Sequence, residues 1–451
     1  SGQCTHKNRN MTSRKKKEPD FVAAFRQSAP YINAHRGRTF VLCFSGTIVA
    51  DESFALLVND IALLNSLGVR LVIVHGARPQ IEQQLASRNA EFHYADGIRI
   101  TDSAALEATR DAVGAIRVEI EALFSMGLPN TPMAGARIHL ASGNYVTARP
   151  YGIRNGVDFG HTGEIRKIDR QSILRNLDAN AVVLLSPLAY SPTGEVFNVN
   201  SEEVATFTAA ALGADKLIFL LDGKGLRDSR RRPISQLTVP AASRLLEGRR
   251  KLDAELRTHL HSGICACEND VDRVHLIPGW NRGALLQELY TRDGVGTLLS
   301  AEDFEVTRQA SVDDIHGIAE LIAPLEAQGL LVKRTREDLE MCIDKFYVME
   351  RDGLITACAA LISYQDEGLA EMASLAVHPD YRNSGRGDAM LRYAESRARE
   401  ARAHGLFVLT TQASHWFRER GFVSLELGKL PVKRRQLYNY RRNSRVYFKQ
   451  I

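Results

Sequence analysis

Short apolar runs alternate with amphipathic stretches from Phe21 to about residue 298. Residues 40–44 are apolar, 56–67 have helical spacing, and 69–74 read VRLVIV, a continuous run rich in β-branched residues. A run of that kind predicts a strand buried on both faces of a parallel sheet. The turn His75-Gly76-Ala77-Arg78-Pro79 and a helix over 80–90 complete a βαβ unit. The rhythm returns at 181–185, 216–221 and 273–277, while Gly, Asn and Pro crowd 138–166 and predict a hairpin-rich insert. This half reads as a doubly wound α/β domain.

The pattern resets at 300–305. A strand is expected over 304–310, a helix over 312–328 opened by Ser311 or Asp313, and a second helix over 335–345. Strands follow at 346–351, 354–364 and 369–377, with Asp352-Gly353 as a hairpin turn. A helix over 387–403, a strand over 406–411 and a short helix over 414–420 lead into a basic tail. Two α/β domains with a boundary near residue 300 are expected, with no internal repeat.

Composition narrows the class. The chain has 451 residues, 44% hydrophobic and 25% charged, which is ordinary for a globular protein and excludes collagen-like and disordered readings. No apolar run approaches the ~18 residues that span a bilayer, so no membrane association is expected. Six cysteines, irregularly spaced, imply reduced thiols and a cytoplasmic location. The net charge of +5 is uneven. Lys7, Arg9, Arg14, Lys15, Lys16 and Lys17 face only Glu18 before residue 20, and residues 1–20 read as a disordered basic tail or an expression remnant ahead of Met11. Lys429, Lys433, Arg434, Arg435, Arg441, Arg442, Arg445 and Lys449 have no acid among them from 429 onward. The body between is acidic, and without interleaved aromatic platforms these ends predict no nucleic-acid partner.

The most informative stretch is Ser374-Leu-Ala-Val-His-Pro-Asp-Tyr-Arg382-Asn-Ser-Gly385-Arg-Gly387-Asp388. A strand, a Pro-containing turn, then Arg-x-x-Gly-x-Gly open an amphipathic helix. Glycines let the chain curl round a phosphate, and the unpaired N–H groups of the first helical turn point at it. This order resembles the acetyl-CoA motif of the GNAT acetyltransferases. The resemblance implies acetyl-CoA as co-substrate and no metal. The backbone of Leu375, Ala376 and Val377 would hold pantetheine and acetyl, and Arg382, Asn383, Ser384, Gly385, Arg386, Gly387 and Asp388 the pyrophosphate. Glu371, on the same strand, is the candidate base for the acceptor ammonium, with a structural salt bridge as its alternative. A backbone N–H near Leu375 or Ala376 would polarise the carbonyl. Thr410 is the candidate acid for the leaving thiolate, although a strand Thr also serves packing alone. Ser374 has no visible base partner, so no acyl-enzyme is expected.

The first half carries His75-Gly76-Ala77-Arg78-Pro79-Gln80-Ile81, Ser142-Gly143-Asn144, Phe197-Asn198-Val199-Asn200, Leu220-Leu221-Asp222-Gly223-Lys224-Gly225-Leu226, and a run from Arg273 to Thr297. These resemble the amino-acid kinase fold, in its acetylglutamate kinase branch. An amino-acid kinase-like α/β/α sandwich over 21–298 followed by a GNAT α/β domain over 299–451 is similar to the bacterial N-acetylglutamate synthase family. That resemblance implies L-glutamate as acceptor at the entry step of arginine biosynthesis. By residue-by-residue match, Arg334 and the backbone at Val332 take one carboxylate, and Arg442 with Ser444 the other, since a guanidinium fork suits a carboxylate. It also implies L-arginine as effector, with Glu288, Gly294 and Gly296 at its site and Tyr31 on a closing amino-terminal helix. That helix would join dimers into a homo-oligomer, a hexamer with a tetramer as the alternative. The lysine that kinases carry after the first strand is missing from Cys43-Phe44-Ser45-Gly46-Thr47. The phosphoryl charge loses a principal stabiliser, so a retired kinase is expected.

Weaker signals stay open. His259, His261, Cys265 and Cys267 include metal-ligand residue types, but fit no usual zinc spacing. Two rival functions also remain at this stage: a GNAT enzyme with another amine acceptor, and a non-catalytic arginine-sensing subunit.

Overall fold

The computed structural model of the chain describes residues 20–127, 133–248, 252–301, 305–351, 353–382 and 385–451. The chain divides into two compact units, 1–302 and 303–451.

Unit 1 is built on a mainly parallel sheet. Its strands are β1 (Thr39–Phe44), β2 (Arg70–His75), β3 (Leu140–Ser142), β4 (Val182–Leu185), β5 (Lys216–Leu221), β6 (Gln236–Thr238), β7 (Arg273–Pro278) and β8 (Thr297–Ser300). They lie in the order β6-β8-β7-β5-β1-β2-β4-β3. The apolar runs explain the centre: β1 and β5 are buried at every position, because helices cover both faces. On one face Val41, Val72, Val183, Phe219 and Val274 pack with α5 (Ser201–Leu212) and α6 (Ala254–Glu268). On the other, Phe40, Leu42, Ile73 and Ile218 pack with α2 (Phe54–Ser66), α4 (Ser103–Phe124) and α7 (Ala284–Tyr290). Fully burying one such Phe stabilises the fold by about 2–3 kcal/mol.

The predicted rhythm is present, with helix α3 (Arg78–Ser87) where 80–90 was expected. The stretch 138–166 forms short strands, and Val146–Pro150 pairs with Gly163–Ile168 in a separate four-stranded sheet. The long helix α4 was not anticipated. Its buried residues mix small ones (Ala105, Ala108, Thr109, Ala112) with larger ones (Leu106, Val113, Ile116, Ile120, Phe124), and the small ones thin the apolar signal that marks a helix.

Unit 2 contains β9 (Glu305–Gln309), helix α8 (Ile315–Ala327), helix α9 (Arg336–Met341), β10 (Phe346–Arg351), β11 (Leu354–Tyr364) and β12 (Leu369–Val377). Helix α10 (Arg386–Glu400), β13 (Gly405–Thr410), α11 (Ser414–Arg418), β14 (Val423–Ser424), α12 (Val432–Gln436) and β15 (Arg445–Gln450) complete it. The sheet order is β9-β10-β11-β12-β13-β15-β14. The expected helices 312–328 and 335–345 each break: 312–314 and 343–345 are single 3₁₀ turns flanking α8 and α9. The basic segment expected as a tail is corrected by the structure, since its last strand inserts between β13 and β14. Val446 and Tyr447 are adjacent and both buried there, one on each face, while Arg445 is exposed, so a short apolar run flanked by basic residues makes the strand. Among the described residues, no helix is long and apolar enough to cross a membrane.

Candidate active site and effector site

Strand β12 is where unit 2 opens. It pairs in parallel with β13 only from Leu369 to Glu371, opposite Gly405 to Phe407. Beyond that point the register with β11 shifts, and Ser374 sits at φ +52°. A non-glycine residue in the left-handed region is sparsely populated and holds only when its surroundings impose it. The bulge lets Ala376 and Val377 keep pairing with β11 while their edge towards β13 stays open. Leu375, Ala376 and Val377 thus present backbone groups to a gap between two strands.

The turn after β12 leads through exposed Arg382 to Gly385, which caps α10 at φ +84°. Asn383 and Ser384 lie outside the described residues. Two side chains of this loop are already engaged. Arg386 donates through Nε to Glu305 Oε1 at 2.6 Å and lies over the Tyr381 ring at 4.3 Å, so it turns inward. Asp388 is paired with Arg420. The Arg386 guanidinium is thus engaged by Glu305 and the Tyr381 ring, while Arg382 is exposed.

Glu371 is 3% exposed and is not alone. Its Oε2 accepts from Arg434 Nε at 2.7 Å and from the Tyr364 hydroxyl at 3.2 Å. Burial, then the Glu371 charge, pushes the Tyr364 phenol well above its ordinary range, so it remains a donor. The salt-bridge alternative raised from the sequence is therefore present, and it orients the carboxylate. Thr410 closes β13; its Oγ1 accepts from the N–H of Ala413 at 2.9 Å and of Gln412 at 3.3 Å. Those bonds use the oxygen and leave the hydroxyl proton to be donated elsewhere.

The two basic clusters face one another. Arg442 donates through Nη2 to the Leu330 carbonyl, which ties the turn 439–444 to the loop bearing Val332 and Arg334. Arg442 Nε is buried and has no partner among the described residues. Arg334 is held by its backbone N–H on Glu326 Oε1 (3.1 Å), by Nη1 on Cys342 Sγ (3.3 Å) and by the Phe346 ring (5.4 Å). The reciprocal capping box of Thr335 and Asp338 fixes the chain next to it. Ser444 is 9% exposed, and its carbonyl accepts from the Tyr438 hydroxyl at 2.8 Å. Val332 is 59% exposed on the facing loop.

Unit 1 gathers its four candidates around the end of α7. Glu288 is buried, its Oε1 accepting from His275 Nδ1 at 2.7 Å and its Oε2 from the N–H groups of Val295 (2.7 Å) and Gly296 (2.8 Å). Burial alone would raise this carboxyl, but the histidine and the two N–H groups outweigh it and bring it to about 2. Gly294 is required on two counts: its φ is +60°, and a Cβ would stand 2.4 Å from Glu288 Oε2. Lys216 Nζ lies 3.3 Å from His275 Nε2. Burial and then Lys216 depress the His275 pKa, so a neutral imidazole donates from Nδ1 to Glu288 and accepts from the ammonium at Nε2. The helix α1 (Asp20–His35) docks on the carbonyl end of α7: Ser28 Oγ donates to Tyr290 O (3.0 Å) and His35 Nε2 to Leu289 O (2.8 Å). Tyr31 lies on that helix, 6.4 Å from the His35 ring.

Sequence reasoning missed Arg434, Tyr364, Lys216 and the pairing role of His275. Lys216 did carry a signal, because a charge opening the otherwise apolar run KLIFLL is costly to bury without a purpose. Of the remaining His/Cys candidates, the His259 ring meets Phe219 at 4.8 Å and its Nδ1 donates to Glu255 O, Cys267 is buried, and His261 is exposed. No group of three metal-binding side chains occurs among the described residues.

At the end of β1, where kinases carry their lysine, Ser45 Oγ donates to Asp222 Oδ1 (2.5 Å) and Gln80 Nε2 to Gly46 O (2.7 Å). Trp280 Nε1 donates to the Asp222 carbonyl, and Asp222 N–H donates to Glu255 Oε1 (2.6 Å). Carboxylates and internal hydrogen bonds occupy the sheet end that would receive phosphates.

Comparison with known proteins places this geometry. Residues 38–277 match the amino acid kinase family, and residues 343–424 match the acetyltransferase (GNAT) domain. The chain is 50% identical over 434 residues to the amino-acid acetyltransferase of Pseudomonas putida, covering 96% of this chain and 100% of that one. It is 50% identical over 435 residues to the amino-acid acetyltransferase of Ralstonia nicotianae, with 96% of each covered. The crystal structure of N-acetylglutamate synthase from Neisseria gonorrhoeae complexed with coenzyme A and L-arginine is similar at TM-score 0.86 and 36% identity, over 96% of this chain and 100% of that one. The same enzyme complexed with coenzyme A and N-acetyl-glutamate is similar at TM-score 0.62 and 36% identity, over 96% of this chain and 99% of that one. This chain is an acetyl-CoA-dependent enzyme of the amino-acid acetyltransferase family, a GNAT domain joined to an amino-acid kinase-like domain.

Proposed function

We propose that this enzyme transfers acetyl from acetyl-CoA to the α-amine of L-glutamate within a ternary complex, as the first step of arginine biosynthesis, under feedback inhibition by L-arginine. The pairing of Arg334 and Arg442 on tied loops carries the reading, because a dicarboxylate needs two cationic sites and Arg442 Nε has no partner among the described residues. The Neisseria enzyme complexed with N-acetyl-glutamate supports the same acceptor.

Each group then has a step. Arg334 with the Val332 backbone holds one carboxylate, and Arg442 with Ser444 the other. Glu371 takes a proton from the ammonium, directly or through water, and the neutral amine attacks the thioester carbonyl. Backbone N–H near Leu375 and Ala376 receives the developing oxyanion. Attack forms the C–N bond. Collapse of the tetrahedral intermediate restores the carbonyl and breaks the C–S bond. Thr410 supplies the thiolate proton and regains one, through water, from the nitrogen, and Glu371 returns its proton to solvent. The backbone of Leu375–Val377 holds pantetheine, and Arg382 to Asp388, including Asn383 and Ser384, surrounds the pyrophosphate.

Arginine acts through unit 1, whose kinase chemistry is retired. Its guanidinium is drawn to Glu288 beside Gly294 and Gly296, and Tyr31 on α1 closes the site. The same helix bridges dimers into a hexamer, a tetramer being the alternative. Thiol release from acetyl-CoA with a panel of amino acids tests the acceptor: glutamate should be preferred, and release with aspartate or lysine alone would eliminate the assignment. ADP formation from ATP and acetylglutamate would refute the retired kinase.

A further inference from the structure

An acidic side chain stands where the cofactor's pyrophosphate is proposed to sit. With Gly385 capping α10, Asp388 is the third residue of the first turn, among the N–H groups that would face the diphosphate. A carboxylate there suits the helix dipole of the free protein. Beside a bound diphosphate it is a like charge, and like charges held close disfavour one another.

The neighbouring segment answers that charge. Arg420, just past α11, donates through Nε and Nη2 (3.1 Å) to the two Asp388 carboxylate oxygens, a bidentate fork. Its Nη1 donates to the Trp416 carbonyl at 2.8 Å, and the guanidinium carbon lies 4.0 Å from the Trp416 ring centre. Trp416 packs against the loop itself, since a Cβ on Gly387 would lie 3.2 Å from its Cζ2. The guanidinium is therefore held between an indole face and the carboxylate. That bond holds the Asp388 carboxyl below its ordinary range, so the negative charge persists at working pH.

We propose that Arg420 is a positioning residue of the coenzyme A site: it cancels the Asp388 charge facing the pyrophosphate and, braced on Trp416, fixes the first turn of α10. The inference rests on the pyrophosphate placement proposed above. It also joins two parts of the site, because the segment that follows Thr410, the last residue of β13, carries both Trp416 and Arg420.

The test compares acetyl-CoA with acetyl-pantetheine, which lacks the pyrophosphate, at low and moderate salt. Arg420→Ala should raise KM for acetyl-CoA about tenfold at low salt, with KM for glutamate within about twofold and a smaller effect at higher ionic strength. Arg420→Lys should recover part of the loss, and adding Asp388→Asn to Arg420→Ala should recover most of it. With acetyl-pantetheine, Arg420→Ala should match the wild type. An equal loss with both donors, or a double variant no better than Arg420→Ala, would overturn the proposal and leave Arg420 a packing residue. If the wild type itself used both donors equally well, the pyrophosphate placement would fall and the proposal with it.

Discussion

Arg434 Nε and Glu371 Oε2 stand 2.7 Å apart, with the carboxylate almost wholly buried at the last paired position between β12 and β13. The arginine comes from the segment that looked like a basic tail, so the proposed base is oriented by a residue 63 positions further along the chain. Glu371→Gln preserves an acceptor for Arg434 and Tyr364 but removes the base. We expect kcat to fall by about 10²–10⁴ with both KM values within about threefold. A kcat within threefold of wild type at neutral pH would show that Glu371 is only a structural carboxylate.

The carboxylate-binding assignment predicts a split between substrates. Arg334→Lys and Arg442→Lys keep the charge and lose the planar fork, so KM for glutamate should rise at least about tenfold in each. KM for acetyl-CoA should stay within about twofold. Equal changes in both KM values would point to loop collapse through the lost contacts at Leu330 or Cys342.

Glu288 offers a cleaner test as Gln than as Ala. Gln retains an oxygen for the Val295 and Gly296 N–H groups, so the turn at 294–296 should survive, while the charge that would attract a guanidinium is lost. The arginine concentration for half-maximal effect should rise at least about tenfold, with the melting temperature within a few degrees. Glu288→Ala should abolish the response outright. An unchanged response in either variant sinks the site.

Acid should weaken unit 1 through buried histidines. Burial lowers His75 from 6.5 to about 4, and burial with the Lys216 charge lowers His35 by the same amount. Between those values the unfolded chain binds more protons than the folded one, so their stabilisation is complete above pH 6.5 and is lost as the pH falls towards 4. Each should cost about 2 kcal/mol by pH 5. Melting curves from pH 7.5 to 5 measure this, and His75→Gln should flatten the slope. A melting temperature indifferent to pH over that range would contradict it.

The readable and unreadable parts of this molecule divide on physical lines. Strands β1, β2 and β5 were legible because burial on both faces forces unbroken apolar runs, and the Gly385–Gly387 loop because few other residues allow that turn. Strand β15 was hidden because its apolar run, Val446 to Phe448, is short and flanked by Arg445 and Lys449. Helix α4 was hidden because the first half of its buried stripe is mostly Ala and Thr, which carry a weak apolar signal. Glu371, Arg442 and Glu288 could be nominated from the sequence, but not their partners. Arg434, Leu330 and His275 meet them only through tertiary folding, which local periodicity does not encode.

The splay at Ser374 leaves β13 bare along part of one side, from Val408 to Thr410, and its opposite side is covered by β15 from Gly405 to Thr410. Without residues 445–450, the apolar strand GLFVLT would expose backbone donors and acceptors on both flanks, a template for pairing with other chains. Opening a gap for a thioester is thus compatible with a protein that stays dispersed only while the strand on the far side remains seated. A lesion in β15 should consequently reveal itself first as precipitation, before any measurable change in how tightly the substrates bind.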